Sequence, residues 1–95
     1  QGIGYYMAIH ETHPDIVNRL KRADGHIRSL IAMIESGRDC VDVAQQMHAI
    51  CRALESAKQI YIRDHIDHCL ERSAGKGGRA AKNALTEFKE IAKYL

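Results

Sequence analysis

Tryptophan is missing from this chain of 95 residues, and phenylalanine and proline occur once each. The apolar residues are mostly Ile, Leu, Val, Ala and Met. Little aromatic volume and few helix breakers favour a helical protein. At 95 residues the chain is near the lower end for burying a self-sufficient core, which favours completion of that core by another copy. Long hydrophobic runs are also absent. Nothing approaches the ~20 apolar residues that span a bilayer, so no membrane partner is expected. No basic-then-apolar leader opens the chain. An excess of one charge is nearly absent, the net charge being +2. That permits nucleic-acid binding without arguing for it, because a basic face is a matter of position, not total. Cysteines number three, and without a leader they point to a reducing cytoplasm. There, thiols serve more often as ligands, redox sensors or small core residues than in structural disulfides. Signatures of catalysis are lacking too: no nucleophile–base pair stands out, and "GKGG" lacks the strand and the following Lys-Ser/Thr of a phosphate loop. The chain does not read as an enzyme.

Three helices are there instead. Residues 1–8, "QGIGYYMA", read as a tag remnant and disordered N-terminus, and 9–95 as a single helical domain. The first helix is predicted over about 14–36. Pro14 suits the first helical position, Asp15 complements the helix dipole, and Gly37 is a typical C′ residue. Apolar residues recur at Ile16, Leu20, Ala23, Ile27, Leu30 and Ile34, the helical period. Gly25 interrupts this helix at a cost of about 1 kcal/mol relative to alanine. Either another backbone passes close to it or the cost is tolerated. The second helix is predicted over about 39–72, with Asp39 as N-cap. One stripe runs Val43, Met47, Ile50, Leu54, Ala57 and Tyr61, and a second (Ala44, Cys51, Ile62, Ile66, Cys69) widens the face. So wide a face needs more than one partner helix and implies a bundle assembled from several chains. "SAGKGGR" is the one clear linker. A shorter helix follows over about 79–95, with Ala81, Ala84, Leu85, Phe88, Ile91 and Leu95 on one face.

Within the second helix "DHIDHC" concentrates metal-binding chemistry. His65 and Cys69 are four apart and share a face, while His68 points well round from His65. Periodicity alone slightly favours a buried structural pair over a ligand pair. Cys51 shares the face of Cys69 but lies about 27 Å away along the axis, and Cys40 is about 37 Å from His65 on a continuous helix. Within one chain neither reaches. In an antiparallel pair of identical helices, the start of one lies beside the end of the other, so Cys40 of one chain can meet His65 and Cys69 of its partner. Geometry permits that completion without establishing it. Cys51 reads as a small buried hydrophobe, and His26 and His48 as polar positions or interhelical hydrogen-bonders.

"RLKRADGHIR", "GRDC" followed by an aliphatic helix, and "DHIDHC" together resemble the copper-sensitive operon repressor family, of the CsoR, RcnR and FrmR type. The resemblance covers almost the whole chain from about Asp15. It implies an all-α fold, in which three-helix protomers form an antiparallel helical-bundle dimer and two dimers assemble into a tetramer. It further implies a cytoplasmic repressor that binds operator DNA without a helix-turn-helix and releases it when the effector arrives. Cys40, His65 and Cys69 match the copper branch, whose two thiolates and one imidazole hold Cu(I) between protomers; soft thiolates suit that ion. An acidic residue on the third helix supports the site in that branch, and Glu87 is the matching position here. Tyr61, one turn before His65, is a further candidate to pack beside the site.

The same resemblance keeps other effectors open. Nickel and cobalt sensors of the family add an N-terminal histidine. The equivalent position here is Ala8, with His10 and His13 nearby but out of register. Persulfide sensors of the family link the two cysteines corresponding to Cys40 and Cys69 and do not need an imidazole, so His65 argues against them. For operator DNA, Arg19 matches a family position associated with binding. Lys21, Arg22 and Arg28 extend its helix face, and Arg52, Lys58 and Arg63 continue a basic surface on the second helix. A small metal chaperone or buffer is the competing class; it predicts metal binding without sequence-preferring DNA affinity.

Overall fold

In the computed structural model, residues 12–73 and 78–95 are described; of the side chains in this range, those of Arg72, Ser73 and Ala80 are not. Residues 1–11, which include the stretch 1–8 with Ala8 and also His10, and linker residues 74–77 fall outside the described residues. The fold is all-α. Helix α1 spans His13–Glu35, α2 Cys40–Ser73 and α3 Arg79–Ala92, and no strand occurs among the described residues.

Local chemistry accounts for the ends. Helix α1 begins at His13, which puts Pro14 second, still within the turn whose amides have no intrahelical acceptor. Gly37, at φ 77°, closes α1. The Arg38 amide donates to the Met33 carbonyl (3.0 Å) and the Gly37 amide to that of Ile34 (3.1 Å), the paired bonds of a Schellman motif. The Asp39 carbonyl then accepts the first bond of α2, from the Val43 amide. Helix α3 stops at Ala92, three residues short of the sequence expectation. Its last amides turn to the tighter pattern, Tyr94 donating to Ile91 and Leu95 to Ala92.

The chain forms two compact units, and α2 carries residues of both. Pro14–Lys58 is one. In it α1 and the first part of α2 are joined by the short turn at Gly37, and the His26 ring N–H donates to the Gln46 side-chain oxygen between them. The two residues lie at nearly equal distances from the turn, so the helices run back along each other. The buried residues are Ile16, Ala23 and Leu30 from α1, and Ile50 and Ala57 from α2. These are seven apart within each helix, one row of a heptad pattern. The second row, Leu20, Ile27 and Ile34 on α1 with Met47 and Leu54 on α2, is exposed. Periodicity put both rows on one apolar face; a single chain covers only half of it. Cys51 is likewise exposed, against its reading as a buried small residue. A methyl group added at Gly25 would meet nothing within 4 Å, so in the protomer no backbone packs against that glycine.

Among the described residues, the other unit comprises Gln59–Leu95 together with Thr12 and His13. Here the C-terminal part of α2 packs on α3, burying Ile62, Cys69 and Ala84. Among the described residues of the whole chain, the large aliphatic side chains that are buried are only Ile16, Leu30, Ile50 and Ile62. Full burial of such a side chain stabilises by about 1.5–3 kcal/mol, so this is a meagre core.

Candidate metal centre

The site lies in the second unit, on two successive turns of α2 and one turn of α3. Helical spacing brings His65 and Cys69 together, and the packing of α3 on α2 brings Glu87 to both. His65 Nε2 is 3.0 Å from Glu87 Oε2. The Cys69 thiol donates to Glu87 Oε1 across 3.5 Å. One candidate ligand atom from each of the three residues lies within 4.8 Å of the others, and this is the only such group of three or more His, Cys, Asp and Glu among the described residues.

Burial grades across the cluster. Cys69 is 1% exposed, the most buried residue of the core. The His65 side chain is 19% exposed and that of Glu87 43%. A thiol sunk in apolar packing is usually a small hydrophobe; one touching a carboxylate and one turn from an imidazole has a polar environment built for it. His65 carries a further constraint. Its ring stacks on Tyr61, with centroids 6.5 Å apart and planes 20° apart. Tyr61 in turn stacks on His13, at 5.4 Å and 13°.

The remaining candidates are placed elsewhere. Cys40 is the first residue of α2 and is exposed. It does not belong to the His65–Cys69–Glu87 group. His68 is held apart from the cluster: its Nδ1 donates to the Asp64 carbonyl at 2.7 Å, with the Asp64 carboxylate 3.4 Å away. The basic residues line exposed or half-exposed helix surface. On α1, Arg19 pairs with Asp15 (2.9 Å) and Arg28 with Asp24 (3.2 Å), while Lys21 and Arg22 are exposed. On α2, Lys58 pairs with Glu55 (3.3 Å), and Arg52 and Arg63 are exposed. Such exposed pairs are weak, so the arginines remain available to phosphate. His13, which the sequence put near the extra ligand position of the nickel and cobalt sensors but out of register with it, stands beside Tyr61. It is distant in sequence from Tyr61, and no periodic signal links the two.

A helical fold with a part-buried imidazole–thiol–carboxylate cluster fits a class of small effector-responsive proteins. Comparison with known proteins narrows that class. The profile of the family described as "Metal-sensitive transcriptional repressor" matches residues 12–94. The copper-sensing transcriptional repressor RicR of Mycobacterium tuberculosis is 36% identical over 69 residues, covering 73% of this chain and 72% of that protein. The copper-sensing transcriptional repressor CsoR of Bacillus subtilis is 35% identical over 80 residues, 82% of this chain and 79% of that one. Among solved structures, the nickel-responsive transcriptional regulator InrS superposes with a TM-score of 0.76 at 34% identity, covering 86% of this chain and 91% of that one. The chain therefore belongs to the metal-sensitive transcriptional repressor family, a regulatory and non-enzymatic group. No helix among the described residues is long and apolar enough to cross a membrane.

Proposed function

We propose that the protein is a cytoplasmic, Cu(I)-responsive repressor that binds operator DNA as an antiparallel dimer or dimer of dimers and releases it when Cu(I) occupies a site shared between chains. The ligands are Cys40 of one chain with His65 and Cys69 of its partner. The observation that carries the proposal is the hydrogen-bonded grouping of His65, Cys69 and Glu87. The curated relatives named as copper-sensing repressors support the choice of metal.

The donor set fits the ion. Alone, the cluster in one chain offers a single soft donor, an imidazole and a hard carboxylate. A second thiolate makes it a low-coordinate soft site, and Cys40, exposed at the far end of α2, is the thiol that antiparallel pairing supplies. The unfilled heptad row of Leu20, Ile27, Ile34, Met47 and Leu54 is the surface that such pairing would cover. Glu87 supports the site from outside it. A proton on His65 Nε2 donates to the Glu87 carboxylate and leaves the Nδ1 lone pair as donor. Cys69 must lose its proton to act as a ligand, and Glu87 Oε1 is an acceptor within reach of that proton. The thiolates of Cys40 and Cys69 and the imidazole of His65 would hold Cu(I), which when bound would supply a soft Lewis acid. Release of DNA then requires that the operator-bound arrangement hold these side chains less favourably than the released one, since an effector indifferent to the two states shifts neither.

A second reading, a nickel or cobalt sensor, is favoured by one observation: a hard carboxylate lies within ligand reach of the imidazole and thiol, and the structural neighbour is nickel-responsive. In that reading Glu87 is itself a ligand. Anaerobic Cu(I) titration against operator-bound protein, with Ni(II) and Co(II) titrated in parallel, separates them. Release by Cu(I), lost in Cys69→Ala, is expected. Release by Ni(II) alone, or wild-type behaviour of Cys69→Ala, contradicts the copper site.

A further inference from the structure

Resting on the reading of His65 as an effector ligand, we infer that the three-ring stack His13–Tyr61–His65 is a positioning device for the site, with His13 its outer ring and not a ligand. The Glu87 contact fixes one atom of the His65 ring. Tyr61, one turn earlier on α2, bears on the plane of that ring, stacked 20° from parallel with centroids 6.5 Å apart. Tyr61 is 40% exposed and makes a poor wall by itself. His13 stacks on Tyr61 at 5.4 Å and 13°, within the centroid range where offset-stacked rings attract.

The stack makes the first residue of α1 part of the effector site. His13 contributes through its aromatic face, and that separates this role from metal ligation: a phenyl ring stacks as an imidazole does but has no donor nitrogen. The separating experiment compares His13→Phe, His13→Ala, Tyr61→Phe and Tyr61→Leu. Two quantities are read: the His65 imidazole resonances of the apoprotein by NMR, and Cu(I) affinity by anaerobic competition with a chromophoric chelator. His13→Ala and Tyr61→Leu are expected to shift the His65 resonances and weaken Cu(I) binding about three- to tenfold, while the two phenylalanine variants stay within about twofold of wild type. Unmoved His65 resonances in a folded Tyr61→Leu protein overturn the stack. Equal losses in His13→Phe and His13→Ala overturn the positioning role and make the His13 nitrogen a donor. The apoprotein resonances test the stack without metal, so a wild-type protein that binds no Cu(I) overturns the proposed function and leaves the stack to be judged separately.

Discussion

His65 Nε2 lies 3.0 Å from Glu87 Oε2, and the same carboxylate accepts from the thiol of Cys69 through its other oxygen. One side chain of α3 thus orients both α2 residues proposed to hold the effector. Supporting groups of this kind tune metal affinity by about 10–100-fold. Glu87→Gln should therefore weaken Cu(I) binding by that range while the apoprotein keeps its helicity and its DNA affinity. A competition titration beside a mobility-shift assay measures both. Loss of nickel binding without loss of copper binding would instead make Glu87 a ligand for the harder ion.

The half-covered heptad face predicts assembly. Leu54 and Ile27 sit on the exposed row, next to the buried row of Ile50, Ala57 and Ala23. Burying each such side chain against a partner is worth about 1.5–3 kcal/mol. Leu54→Glu or Ile27→Glu should raise the dissociation constant of the assembly about tenfold or more, measured by sedimentation. Because the proposed effector site needs two chains, the same variants should lose high-affinity Cu(I) binding. An unchanged oligomer would show that this row faces solvent.

Two glycines predict opposite outcomes. Gly37 holds φ 77° at the end of α1, so Gly37→Ala should destabilise by about 1 kcal/mol. Gly25 lies inside α1 with open space where a methyl would go, so Gly25→Ala should stabilise by about 1 kcal/mol and raise Tm by about 4–8 °C. Thermal unfolding followed by circular dichroism reads both. A lowered Tm for Gly25→Ala would mean that a partner chain approaches that backbone closely.

DNA binding through helix-borne cations predicts a steep salt dependence. Arg19→Ala and Arg63→Ala should each weaken binding and lower the slope of log affinity against log salt by about one, as measured by fluorescence anisotropy. Breaking the Asp15–Arg19 pair by Asp15→Asn should leave binding unchanged or slightly improved, since exposed pairs contribute little.

Much of the fold was legible because helices announce themselves locally. The apolar spacing from Ile16 to Ile34 and the position of Gly37 needed only the helical period and a left-handed turn residue. Periodicity could not separate residues buried within the chain from those exposed on it, because both rows of a wide face carry the same signal. That is why Cys51, assigned to the interior, is exposed. At the site, the i, i+4 spacing of His65 and Cys69 already puts them on one face. Glu87 was reachable only by family resemblance, since its approach depends on a linker whose geometry no pattern encodes. His13 stood out in the sequence only as a histidine near the family's extra ligand position; its ring contact with Tyr61, between residues so far apart in sequence, is created by tertiary packing alone.

The central claim is that the effector site belongs to two chains at once, and a mixed-chain titration tests it most directly. Cys40→Ala and Cys69→Ala proteins, each expected to lack high-affinity Cu(I) binding, are unfolded together, refolded as an equimolar mixture and titrated anaerobically with Cu(I). If Cys40 of one chain completes the His65–Cys69 pair of its partner, each mixed dimer regains one intact site, restoring about a quarter of the wild-type number of sites. No high-affinity site in a mixture shown to contain mixed dimers would contradict the shared site.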